Sequence, residues 1–487
     1  MTDHGGLLKQ PHTWLRRVTV AGDSPPDTPF LKEVLRGLFA TFGELGHQVR
    51  DVPDATTDVV LTTAPLGEPI SWRHAPLFTA RRRYGLSRSP AVYTLIHATP
   101  TAFEELLDHF QAALVKSPPD PGDYRFPGLV EGAWRVLDEQ ARRGGAILAL
   151  ERLLQAQAKS LRILLVVGEE RPLRAFHFDL VGAHPVTDGS DLAAFYRDIV
   201  LRMVTTVSTD TVTKHVERGE PIPSEVWQRL GTPPGLVHAS EQLGLRGFFT
   251  EPVVIGDLVR VPVVSDAVAS QYSEGCFATW EPALPGLVAT VTGSARPIHK
   301  GRITTADLAV VVGVRDDLAG AVVRPVERME ANQPSSEALE MMLVDQRLPT
   351  VELDSSRGVS EAVPVVRSKL HGHRGVGSFD PAKVEYVPLD IAYHDYPVSC
   401  ASGAQALGVQ KAFARSETLR NPQDSRQVVF TVLPGHGILI AEKWVEGTEP
   451  LQVIWEHIDD GSLAIVPPVP QGRLRYLEDR GVFGLET

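Results

Sequence analysis

The patterning of apolar residues changes once along this chain, and that change restricts the folds open to it. Up to about residue 245, short strand-like apolar runs alternate with segments whose apolar residues recur at helical spacing. Residues 17–23 read as a buried strand ending in a turn. Phe30, Val34, Leu35, Leu38, Phe39 and Phe42 then mark a helix bounded by Gly43 and Gly46. Residues 58–63 and 92–97 are further strands, and Phe103, Leu106, Leu107 and Phe110 mark a second helix. This order predicts a parallel sheet covered by helices. Gly144-Gly145 predicts a break between two helices, ahead of an apolar strand at 161–167 and a helix from Asp191 to Val204. From Gly247 onward, short β-branched runs bounded by glycine and proline dominate: 252–255, 258–264, 287–291, 308–314, 363–367, 384–387, 428–433 and 451–455. Helical spacing returns only at 337–342 and 401–414. The expectation is an α/β protein with a Rossmann-like parallel-sheet N-terminal region and a β-rich mixed C-terminal region. Its domains fall at 1–120, 121–245 and 246–487.

Composition narrows the function classes. Lysine and arginine number 48 against 60 aspartates and glutamates, a formal charge of −12, which disfavours a nucleic-acid binder. The tract Arg81-Arg82-Arg83 with Arg88 reads as a solvated loop. Two cysteines, Cys276 and Cys400, make no disulfide framework and point to a reducing cytoplasm. Residues 1–17 lack the apolar core of a signal peptide, and runs such as 163–167 and 308–314 fall far short of a membrane span. No membrane partner is expected. Gly22-Asp23-Ser24-Pro25-Pro26 after the first strand is not G-x-G-x-x-G, and no P-loop, G-x-S-x-G or H-E-x-x-H occurs.

Chemistry-bearing residues concentrate between Leu370 and Trp444. His371 and His373 flank Gly372, and on an extended strand residues two apart share a side. Two neutral imidazoles so placed suit a divalent metal (manganese, zinc or iron) or the bracketing of a polar ligand. His436 stands between Gly435 and Gly437, where glycines let the backbone approach a ligand closely. Asp390, His394 and Asp395 add a carboxylate–imidazole set, with Asp395 suited to orient a histidine and His394 to act as base. Glu274 beside Gly275, ahead of Cys276 and Trp280, suits a carboxylate in a cleft, as metal ligand or base. Cys276 is a small buried residue or, with a base nearby, a nucleophile. Ser399 to Gly403 offers hydroxyls and backbone donors to an anion.

The order of α/β material, the Glu274-Gly275 turn before the β-rich half and the late histidine His436 resemble the fucose/arabinose-type sugar isomerases. That resemblance implies a divalent metal, commonly manganese, held by acidic residues and histidine. Glu274 takes the first acidic position and His436 the histidine. Only Asp307 is available for the second acidic position, and the His371/His373 pair lies outside the family pattern. The leading expectation is therefore a metal-dependent aldose–ketose isomerase acting on a small polar substrate, built as a homo-oligomer. The alternatives are a metal-dependent hydrolase and a non-enzymatic ligand-binding or assembly protein.

Overall fold

The computed structural model describes residues 17–23, 28–54, 56–67, 91–116, 138–158, 162–168, 174–179, 183–187, 191–208, 214–250, 273–292, 299–329, 333–354, 360–389, 402–433, 436–466, 474–477 and 482–485. Those up to 208 gather in one compact unit and those from 214 onward in a second. The protein is a mixed α/β structure whose sheets combine parallel and antiparallel strands. Among the described residues no helix is long and apolar enough to cross a membrane. The tract at Arg81–Arg83 and Arg88, and the expected strands at 252–255 and 258–264, lie outside the described residues.

The first unit comprises β1 (Thr19–Gly22), α1 (Pro29–Glu44), β2 (Gln48–Arg50), β3 (Val59–Pro65), β4 (Ala91–Ala98), α2 (Pro100–Lys116), α3 (Glu139–Gln157), β5 (Arg162–Val167), β6 (Arg174–Phe178), β7 (Ala183–Thr187) and α4 (Leu192–Ser208). Its seven strands lie in the order β2-β1-β3-β4-β5-β6-β7. The pairs from β2 to β5 are parallel, whereas β5–β6 and β6–β7 are antiparallel. Strands at 162–187 thus complete the sheet begun at Thr19, and this compact unit extends to Ser208 among the described residues. The helix expected to break at Gly144-Gly145 is continuous as α3. Both glycines are buried, and Arg143 ties the helix to Glu104 and Asp108 of α2. Tertiary contact here outweighs a helix penalty of about 1 kcal/mol per glycine.

The second unit holds β8 (Val216–Glu217), α5 (Ser224–Trp227), α6 (Thr232–Leu245), β9 (Cys276–Glu281), β10 (Gly286–Thr290), β11 (Leu308–Val314), β12 (Ala321–Arg324), α7 (Ala338–Asp345), β13 (Thr350–Asp354), β14 (Ser360–Pro364), β15 (Val366–Gly372), β16 (Gly375–Phe379), β17 (Val384–Tyr386), α8 (Gly403–Phe413), α9 (Glu417–Arg420), β18 (Val428–Leu433), β19 (Gly437–Lys443), α10 (Gln452–Asp459) and β20 (Leu463–Val466). Strands β21 (Leu474–Leu477) and β22 (Val482–Leu485) join β16 and β20 in a small sheet. The main sheet runs β17-β18-β19-β15-β9-β10-β11-β12-β8, antiparallel except at its two outer pairs. The stretch read as a strand at 451–455 is the helix α10. Its Val453, Ile454 and Trp455 are buried while Glu456 and Asp459 are exposed, so one-sided burial decides over the β preference of Val-Ile-Trp.

Alternation along the strands sorts the second unit into two faces. Leu370, Ile438, Ile440, Phe277, Phe430 and Val432 enter a large core with residues of α6 and α10. Lys369, His371, Cys276 and Ala278 point the other way, toward the side of α7 and α8. Glu442, on the α6/α10 side, is fully buried, and its Oε1 accepts from the Leu451 amide (3.1 Å) and the Ser368 hydroxyl (3.3 Å).

Burial lifts the Glu442 pKa from 4.5 to about 7, with the Arg367 guanidinium opposing the rise. The unfolded chain releases this proton above its ordinary pKa while the fold keeps it. Stability is therefore fully present below pH 4.5 and falls as pH rises toward 7. Glu442→Gln keeps a neutral side chain and should flatten this slope, by about 3 kcal/mol across the window. Urea unfolding of both proteins across that window checks it, and an unchanged slope would contradict the burial argument.

Candidate metal centre

Three histidines converge on the α7/α8 side of the second unit. His371 lies near the end of β15, His373 two residues further along the same backbone, and His436 in the turn between β18 and β19. Their rings are T-shaped or tilted, with centroids 4.6 Å (His371–His436), 5.2 Å (His373–His436) and 5.4 Å (His371–His373) apart. One nitrogen from each lies within 4.8 Å of the other two. Three imidazoles around a tetrahedral ion, at about 2.0–2.1 Å per Zn–N bond, would set their ring centres about 5 Å apart. The observed spacings match that arrangement.

Backbone geometry brings the three together. The β15–β19 register opposes His371 to Leu439 and Gly372 to Ile438, so the turn carrying His436 reaches the end of β15. The His436 amide donates to the Leu433 carbonyl at 2.9 Å and closes this turn. Gly437 then passes so close to β15 that a Cβ there would lie 2.0 Å from the Gly372 oxygen and 2.8 Å from the His373 Cα. Gly275 takes φ +99° on the other flank, where a Cβ would lie 2.5 Å from the His371 oxygen. Only glycine permits these approaches.

The surroundings also fix which imidazole nitrogen is available. His371 Nδ1 lies 3.0 Å from the Ile438 carbonyl, which can only accept, so Nδ1 carries the proton and Nε2 the lone pair. His436 Nδ1 lies 3.1 Å from Gln405 Oε1, while Gln405 Nε2 donates to Glu340 Oε2 at 2.5 Å. With that second bond the amide oxygen faces His436, which places the proton on Nδ1 and the lone pair on Nε2. Ser402 caps α8 by accepting from the Gln405 amide, and Gln410 donates to the Leu343 carbonyl, so both helices hold this relay in place. Burial raises the Glu340 pKa to about 8, helped by the Glu337 carboxylate and opposed by the bond from Gln405. Burial thus favours the protonated form of the Glu340 carboxyl.

The polar layer extends beyond the imidazoles. Lys369, two residues before His371, forms a buried ion pair with Asp345 at 2.6 Å. Cys276 stands directly opposite His371 in the β9–β15 register, and its thiol lies 3.9 Å from Glu337 Oε2. Burial, then the Glu337 charge, pushes the Cys276 thiol well above its ordinary pKa. That environment suits a buried thiol and opposes a thiolate nucleophile. Lys300 is buried as well. Its pKa is pushed down by burial, against which the neighbouring acidic groups Glu274 and Glu337 act.

The expected site residues are thus distributed unevenly. His371, His373 and His436 come together. Glu274 lies just before Gly275 and β9, its amide donating to the Phe249 carbonyl, and is not among the three residues whose ligand atoms are mutually close. Asp307 closes a capping box with Thr304, accepting from its amide (2.7 Å) and hydroxyl (2.8 Å). Asp390, His394, Asp395 and Cys400 lie outside the described residues, as do Ser399 and Gly435. Gln405 and Glu340 were not singled out by the sequence. The signal for Glu340 was an acid in the otherwise apolar run Ala-Leu-Glu-Met-Met-Leu-Val. No protein-family model, no curated protein and no solved structure matches the chain.

Gly437→Ala should disrupt the convergence, because the new methyl meets backbone rather than a flexible side chain. A loss of about 3 kcal/mol or more is expected in urea unfolding. A neutral effect would show that the close approach of β19 to β15 is not needed.

Proposed function

We propose that His371, His373 and His436 hold a divalent transition metal and that the protein is a metal-dependent enzyme acting on a small polar molecule. The observation that carries this reading is the meeting of three buried imidazoles with their Nδ1 protons engaged at two of the three. Neutral nitrogen ligands suit zinc, iron, copper or nickel better than manganese or magnesium. A metal with three protein ligands and an open position supplies Lewis acidity and lowers the pKa of water. The chain's own part is to present the lone pairs, to orient His436 through Gln405, and to place the Glu340 carboxyl behind that amide. This set favours hydrolysis of a polar substrate.

Aldose–ketose isomerisation is the second reading, favoured by Glu274, whose neighbour Gly275 abuts the His371 carbonyl. It calls for an acidic ligand beside the imidazoles and for manganese dependence, with His394 and Asp395 as further candidate catalytic groups. The Rossmann-like reading of the first unit is likewise a proposal, supported by its five parallel strands.

The test is elemental analysis of the full chain after incubation with zinc, iron or manganese, combined with assays of activated-ester hydrolysis and aldose–ketose interconversion. One equivalent of metal is expected, lost in His371→Ala, His373→Ala and His436→Ala. Gln405→Leu should weaken binding roughly 10–100-fold with the fold intact. Hydrolysis that follows zinc content supports the first reading, and isomerisation that follows manganese the second. Metal content unaffected by all three histidine substitutions overturns both.

A further inference from the structure

A cavity of about 540 Å³ opens in the second unit, away from the histidines. Trp280, Glu281, Arg367, Trp444, Glu449 and His238 line it. Arg367 stands four residues before His371 on β15, which is about 13 Å of extended strand. The pairing of Ser368 with Thr279 and of Val366 with Lys443 carries Trp280 and Trp444 to that same opposite end. The volume is in the range of small-molecule sites.

Each polar wall group is held in place by its own contacts. The Trp444 indole N–H donates to the Pro364 carbonyl at 2.8 Å, and the Arg367 guanidinium lies 5.3 Å from the centre of its ring. Arg367 Nη1 donates to the Thr448 carbonyl (2.8 Å) and hydroxyl (3.1 Å). Its Nε is buried without a hydrogen-bond partner among the described residues. Glu281 is 7% exposed and accepts from the Ala283 amide at 3.0 Å, and His238 Nε2 lies 3.7 Å from Glu449 Oε2.

These walls select by charge and by shape. Two carboxylates against one guanidinium disfavour an anion. Arg367 disfavours a cation and already occupies the Trp444 face where a cation would sit. The half-buried Trp280 indole offers an electron-rich face to weakly positive C–H groups, while Arg367, Glu281 and His238 offer donors and acceptors at the edge. A ring with C–H faces and hydroxyl edges satisfies both. We infer that this cavity is a binding site for a neutral polyhydroxylated ring, a monosaccharide unit or cyclitol, separate from the histidine centre and independent of any metal there.

Saturation-transfer NMR on the full-length protein tests this with methyl β-D-glucopyranoside, methyl β-D-galactopyranoside and myo-inositol. Glycine and inorganic phosphate serve as the zwitterionic and anionic comparison probes. At least one polyol should receive saturation at its ring C–H protons. Its affinity should fall about tenfold in Trp280→Ala, the loss of one stacking platform. Glu281→Gln, which retains the oxygen that accepts from Ala283, should also weaken it and serves where Trp280→Ala does not fold. Saturation of no polyol, of glycine or phosphate alone, or of a polyol equally in the parent and the folded variants overturns the assignment.

Discussion

The second unit depends on the antiparallel register of β9, β15 and β19. Pairing His371 with Cys276 on one side and with Leu439 on the other puts imidazole, thiol and Lys369 toward α7 and α8. The same register sends Leu370, Phe277 and Ile440 into the opposite core. A slip of one residue would exchange the two sets, burying a lysine and a histidine among leucines and phenylalanines. The apolar face enforces the register, and the register then positions the polar face. Glycines at 275 and 437 are part of this constraint, because the three backbones come closer there than any side chain allows.

A buried polar layer of this kind is costly unless each member finds a partner. An unpaired buried donor or acceptor costs about 1–3 kcal/mol, and a buried ion pair seldom stabilises more than an apolar replacement would. Here Lys369 meets Asp345, Gln405 bridges His436 and Glu340, and Ser335 donates to Glu337 at 2.6 Å. The layer's centre is the three imidazoles, 1%, 8% and 2% exposed, one of which α7 and α8 orient through Gln405 and Glu340. The other end of the same strands bears a different chemistry, with aromatic faces and exposed carboxylate–imidazole contacts. Strand length keeps the two apart.

Much of this was legible in the chain. Strands at 308–314 and 428–433 coincide with β11 and β18, since a continuous β-branched run bounded by turns leaves little alternative. The histidines were legible because glycine flanks them and because His371 and His373 are two residues apart, although His373 lies just past the end of β15. What was not legible depends on tertiary contact. Val453-Ile454-Trp455 reads as a strand in isolation and becomes helix α10 only because one face is covered. The antiparallel pair β6–β7 carries no tight turn signature that would reveal it. Gln405 and Glu340 belong to different helices, 65 residues apart, and nothing local announces that they meet. The cavity is likewise assembled from β9, β15, α6 and the segment after β19, each contributing residues that read as ordinary aromatics and surface charges.

In the proposed metal centre His371, His373 and His436 are the protein ligands, with no carboxylate or thiol among the described residues joining them. X-ray absorption spectroscopy of the zinc-loaded protein tests it most directly. The expected first shell is nitrogen and oxygen at about 2.0–2.1 Å, with outer-shell scattering from three imidazole rings and no sulfur. A sulfur contribution at about 2.3 Å, or a shell without imidazole scattering, would contradict it.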